Sequence, residues 1–213
     1  MKNYGVILAM LALTLIFGLA FVGCESAVSE PKTVGAQTYL NTGGDAFVEY
    51  NGNLTVKIDH PNGRIYAGQI VNGKLTLELP PSVATSDDLS NLTVNPSGTT
   101  SFTAWGFFLE DENGATFGSL QYRYDIWGGN TDIEERLNQF FIVYYSNDCT
   151  VSGTYFGDWN GVTVTYEYRI AAKQGWNYIY NKGERTSPTT FHRILISDIS
   201  SAPKEMKWLI TPW

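Results

Sequence analysis

Apolar and polar residues alternate with a period of two along much of the chain, the repeat of a strand with one face buried and one in water. Leu54, Val56 and Ile58 alternate with Thr55, Lys57 and Asp59, and Leu75, Leu77 and Leu79 with Thr76 and Glu78. Asn-Gly pairs stand at 51–52, 62–63, 72–73, 113–114 and 160–161, nearly all between two such runs. The central residues of a type I′ turn need positive φ, which Asn tolerates and Gly adopts freely, so each pair predicts a tight hairpin. The strands expected on this basis are 46–50, 53–59, 65–71, 74–79, 102–110, 116–126, 140–146, 149–156, 162–170, 176–181, 191–197 and 207–211.

The later strands read differently. Phe102, Trp105, Phe107, Phe108 and Leu109, and the run from Phe140 to Tyr145, place apolar groups on both faces. Such strands must be covered on both sides or present apolar surface to a partner. The pattern predicts an all-β fold, an antiparallel β-sandwich of about 10–12 strands with Asn-Gly hairpins and at most one or two short helices. One helix is expected over Asp132–Asn138, where Thr131 and Glu134 form a capping box ahead of Leu137 and Phe140. The polar link from Pro80 to Gly98 has room for another turn near Asp87 and Asp88.

Composition narrows the functional classes. Thirteen Tyr, eleven Phe, six Trp and 21 Gly suit strands joined by tight turns. Fourteen Lys and Arg against 21 Asp and Glu give a formal charge of −7, so no basic surface tracks a phosphate backbone and no nucleic acid is expected. Two Cys and two His rule out zinc-finger and disulfide-scaffold readings. Cys149, beside Thr150 and Val151, reads as a small core residue.

The first 24 residues hold one Lys, then an uncharged apolar run from Gly5 to Gly23, then Cys24. This is the build of a secretory signal, and the run is also long enough to span a bilayer. Phe21, Val22, Gly23 and Cys24 resemble the lipobox of bacterial lipoproteins, departing from it at Phe21, where Leu is usual. The resemblance implies cleavage before Cys24 and lipidation of that residue. The expected organisation is a lipoprotein signal peptide over 1–23, a flexible tether over 24–41 and a single β-sandwich domain over 42–213, with an alternative boundary in the 80–98 link. The expected location is the bacterial cell envelope, lipid-anchored in the outer membrane.

Gly175, Trp176 and Asn177, followed by Ala202, Pro203, Lys207 and Trp208, resemble the C-terminal region of a group of uncharacterised bacterial cell-envelope lipoproteins. The segment Arg64 to Leu79 carries a second likeness to them. The resemblance implies no catalytic or ligand residues. Physically, it suggests that Trp176 and Trp208 pack in one core between adjacent strands, with Gly175 letting the backbones approach.

Candidate chemistry is sparse. Ser119 in Phe117-Gly118-Ser119 lacks the second glycine of a nucleophile elbow and falls within a strand. His60 reads as an exposed turn residue and His192 as a structural imidazole. Asp125 and Glu167 sit among aromatics and are the pair to consider for glycoside hydrolysis, although Glu167 shares a polar face with Thr163, Thr165 and Arg169. The acids Glu110, Asp111 and Glu112 lack the spacing of a calcium loop and read as a solvated turn. No enzyme activity, metal or cofactor is expected. The residues left for ligand binding are Trp159 with Asp158 and Asn160 at one predicted turn and Trp127 at another, where rings beside Asp and Asn suit stacking against a sugar. The expected function is a non-catalytic binding or structural role, with the membrane held through the N-terminal lipid and a glycan or another envelope protein as partner. An envelope glycosidase is the third class.

Overall fold

Asn72 (φ 48°) and Gly73 (φ 73°) both occupy the left-handed region, as the Asn-Gly pair predicts for a type I′ turn. They join β4 (Ile65–Val71) to β5 (Lys74–Leu77), with Val71 opposite Lys74. The computed structural model describes residues 33–41, 47–104, 106–123, 138–159, 162–187, 190–203 and 206–213, with the backbone alone at 159, 184–187 and 201. β3 (Leu54–Ile58) pairs with β4 and with β8 (Phe107–Glu110). Leu54, Val56 and Ile58 are buried, as their alternation requires.

With β1 (Val34–Leu40), β9 (Thr116–Arg123) and β15 (Lys207–Pro212), these strands form a ring in the order β15, β1, β5, β4, β3, β8, β9. Pairing of β15 with β9, from Lys207 opposite Arg123 to Pro212 opposite Gly118, closes it. Neighbours are antiparallel except β1 and β15, which run parallel. The seven-stranded barrel encloses a core that includes Val56, Ile58, Ala67, Leu75, Leu109, Leu120, Trp208 and Ile210. Closure leaves the ring without an open edge. β2 (Val48–Glu49) adds to β1 outside the ring.

From the barrel, a single register position, Gln139 opposite Arg123, leads into β10 (Gln139–Tyr145). The sheet continues through β13 (Gly175–Ser187), β14 (Thr190–Ile196), β12 (Val162–Ala172), β11 (Cys149–Trp159) and β6 (Thr93–Asn95). β7 (Ser101–Ala104) pairs with β10, and β12 and β14 run parallel. The two-faced strands are explained here: Ile142, Tyr144, Trp176 and Tyr178 pack on the barrel core, while Phe141, Val143 and Ile179 turn the other way and form a second core with Cys149, Val151, Ile170 and Leu195.

The chain is therefore all-β, but the expected two-layer antiparallel sandwich is replaced by one continuous sheet whose first part closes on itself. Closure depends on strand β15 from the far end of the sequence, a pairing that local alternation does not encode. Residues 34–40, read as part of the tether over 24–41, are barrel strand β1. Its polar residues are satisfied inside the sheet: fully buried Thr38 donates its hydroxyl to the Gly73 carbonyl at 2.9 Å, and the Gln37 amide donates to the Tyr50 carbonyl at 3.1 Å. Among the described residues the only helical turn is the 3₁₀ turn Ile199–Ser201, capped by Asp198. The expected helix over Asp132–Asn138 falls outside the described residues except for Asn138.

Candidate functional site

Alternation along β10 sends Phe141, Val143 and Tyr145 away from the barrel. Strand pairing carries the same face across Ile179 on β13, Leu195 on β14, Tyr168 and Ile170 on β12, and Val151 on β11. Over this floor runs the segment 87–92, which contributes Asp87, Asp88, Leu89 and Leu92. Between floor and cover lies a cavity of about 230 Å³, completed by Ser101 and Thr103 of β7. A dry apolar space of roughly 150 Å³ already accepts a benzene ring.

The cover is pinned by hydrogen bonds. Asp87 Oδ2 accepts from Ser101 Oγ at 2.9 Å and from Thr103 Oγ1 at 2.7 Å. The backbone N–H groups of Ser86 and Asp87 both donate to the Ser101 carbonyl at 3.0 Å. Asp88 turns the chain by accepting from the Ser90 N–H at 2.9 Å. Burial pushes the Tyr145 hydroxyl far above the ordinary phenol range, with Cys149, Asp87 and Tyr168 adding to the effect. Tyr168 is raised by burial, then by Tyr166, Asp87 and Tyr155. Both phenols thus stay neutral. The lining offers a ligand apolar contact, the two neutral phenol hydroxyls and, at the cover, the carboxylates of Asp87 and Asp88, the first of them engaged by Ser101 and Thr103.

At the edge of this lining the chemistry changes, in two residues that do not themselves line the cavity. Asn181 lies opposite Leu195 on the same face. It is fully buried, and neither its Nδ2 nor its Oδ1 has a hydrogen-bond partner in the protein. Arg193, two residues from Leu195 along β14, lies opposite Gly183 and beside Tyr166. Its guanidinium carbon is 5.6 Å from the centre of the Tyr166 ring, and its buried Nε has no partner. Burial pulls Arg193 below its ordinary value, with Tyr166 opposing.

Of the residues expected to bind a ligand, Asp158 does not line this cavity. Asp158 is exposed near the end of β11, opposite Thr163, and the backbone of Trp159 ends that strand opposite Val162. Asn160, Trp127, Asp125 and Cys24 lie outside the described residues. Two readings are corrected. His60 is buried, not exposed: its Nδ1 accepts from the Asn62 N–H and its Nε2 donates to the Ala84 carbonyl, each at 3.1 Å, against the Phe102 ring. Glu110 is likewise buried, because Lys57 at 2.5 Å and Arg64 at 3.4 Å pair with it across the barrel strands; they hold its carboxyl below the usual range, the Lys57 hydrogen bond most strongly.

Elsewhere, Glu167 sits on the polar face with Arg169 and with His192, whose Nε2 is 3.1 Å from Glu167 Oε2. Ser119 is mid-strand in β9, opposite Phe108 and Thr211. Cys149 is buried and unpaired, its thiol pushed up by burial and then by Asp148. Among the described residues no three His, Cys, Asp or Glu converge as metal ligands.

Set beside protein-family models, curated proteins and solved structures, the chain matches none of them.

Asn181 and Arg193 were not singled out from sequence, although a signal exists. Ile179 and Asn181, and Phe191, Arg193 and Leu195, share strand parity, so each polar residue interrupts an apolar face.

Proposed function

We propose that this chain is a lipid-anchored envelope protein with a non-catalytic binding role, and that its ligand occupies the cavity beneath the 87–92 segment. The anchor rests on the lipobox-like sequence ending at Cys24. The binding role rests on one observation, an apolar space of about 230 Å³ with a few converging polar groups, the usual build of a small-molecule site. 1-Octanol should stabilise the wild-type protein in a thermal-shift measurement, because a ligand of the native state raises its stability by mass action. Val143→Phe, which fills the space, should abolish that stabilisation; octanol shifting both proteins equally would contradict the reading. For the anchor, Cys24→Ala should eliminate metabolic palmitate incorporation, and unchanged labelling would refute it.

A second reading, glycan or peptide contact at the end of the β11–β12 hairpin, draws on Phe156 and Tyr155, exposed to 68% and 44%, close to exposed Asp158. Loss of peptidoglycan pull-down in Phe156→Ala and Trp159→Ala, with folding retained, is the outcome it requires.

A further inference from the structure

Asn181 and Arg193 lie beside the cavity lining on the same face of the sheet: Asn181 shares a register row with Leu195 and Tyr168, and Arg193 stands two register positions further along. Strand pairing puts Asn181, Leu195, Tyr168 and Gly153 in one row, and Gly183, Arg193, Tyr166 and Tyr155 in the next. Leu195 and Tyr168 line the cavity, as does Ile179, two residues before Asn181. Diagonal neighbours such as Asn181 and Arg193 stand about 7–8 Å apart across an antiparallel pair. Gly183, directly opposite Arg193, brings no side chain to that position.

Both polar groups break the rules of a purely structural core. Buried amides are almost always hydrogen-bonded, yet Asn181 leaves a donor and an acceptor unused. A guanidinium cannot shed its proton to escape desolvation, so Arg193, partly buried with its Nε shut away from water, favours an anion beside it. No carboxylate among the described residues pairs with Arg193; its neighbour is the Tyr166 ring. An ordered water would satisfy Asn181, but it would not neutralise Arg193.

We infer that the site takes a compact apolar acid: an alkyl or aryl carboxylate that carries a hydroxyl or N–H beside the carboxyl group. Its tail fills the cavity against Val143, Ile179 and Leu195. Its carboxylate meets the Arg193 guanidinium, whose planar fork matches two carboxylate oxygens, and accepts from Asn181 Nδ2. The adjoining hydroxyl or N–H donates to Asn181 Oδ1. Leu89, Leu92, Val151 and Ile170 around the tail disfavour a sugar ring, which would leave its hydroxyls unpaired. This inference rests on the cavity being a binding site and adds the class of ligand.

Titration calorimetry of the full chain with 2-hydroxyoctanoate, octanoate and 1-octanol tests it, since the three share a tail and differ in the head. The hydroxy acid should bind most tightly and the alcohol at least about tenfold more weakly. Arg193→Gln should weaken both acids by roughly 10- to 100-fold, the range for hydrogen bonds to charged groups, and leave octanol unchanged. Asn181→Leu should erase the advantage of the hydroxy acid over octanoate and raise the melting temperature of the ligand-free protein. Octanol binding as tightly as the acids, or acid affinity unchanged in Arg193→Gln, would overturn the inference while leaving the cavity as a binding site. The wild-type series decides the point even if a variant fails to fold. Failure of all three probes to bind would remove the cavity reading and this inference with it.

Discussion

Trp176 ties together three distant parts of the chain through one ring. Its indole N–H donates to the Pro80 carbonyl at 2.7 Å, and its ring packs in T-shaped arrangements with Tyr144 and Phe102, ring centres 5.5 and 6.2 Å away. Trp176→Ala loses packing on the barrel core and leaves the Pro80 carbonyl without that donor. It should cost roughly 3–5 kcal/mol of unfolding free energy, measured by urea denaturation; an unchanged midpoint would contradict this. At this scale the sequence was partly legible. Trp176 and Trp208 do share a core, but their strands, β13 and β15, are not neighbours. Gly175 serves by its φ of 99° rather than by close approach, since a Cβ there would meet nothing within 4 Å. His60 was misread because turn residues are usually solvated, whereas here the 80–98 link folds back over the ring. Asn181 and Arg193 were passed over because a polar residue in a strand looks solvent-facing until its neighbours across the sheet are known.

Elements with strong local signals came through best. β4 occupies 65–71, the span its alternation predicts, and the Asn72-Gly73 turn forms as read. The two-sided apolar pattern predicts one strand over 102–110, but the run divides into β7, which pairs with β10, and β8, which pairs with β3 and β9. Apolar residues on both faces do not reveal such a change of partner. β1 and β6 were missed because buried Thr38 breaks the apolar pattern of the first and the second spans only three residues. Barrel closure also has a residue-level requirement on β9. A Cβ at Gly118 would lie 2.2 Å from the Thr211 carbonyl on β15, so the strands could not keep their spacing. Gly118→Val should lower stability by about 1–3 kcal/mol, in the range of overpacking substitutions, and should speed amide exchange across the β9–β15 seam specifically. Exchange unchanged at that seam would show that the ring accommodates the side chain.

Across the whole molecule, one sheet does two jobs. Its first part closes into a barrel with a filled core, and the remainder curves over a second apolar face that the 87–92 segment only partly fills. The shared strands β10 and β13 give the cavity a rigid floor, because their other face is locked into the barrel core. On the proposed reading, Asn181 and the Arg193 Nε, which have no hydrogen-bond partner beside the second core, cost stability there and gain a use when a ligand meets them. The central claim is that this second space, and not the barrel, receives the ligand. Methyl NMR of the full chain titrated with 2-hydroxyoctanoate tests it most directly. The account predicts shifts at Val143, Val151, Ile170, Ile179 and Leu195, with Val56, Ile58, Leu109 and Ile210 of the barrel core unmoved. Shifts confined to the barrel core, or no shifts at the cavity methyls at saturating ligand, would contradict it.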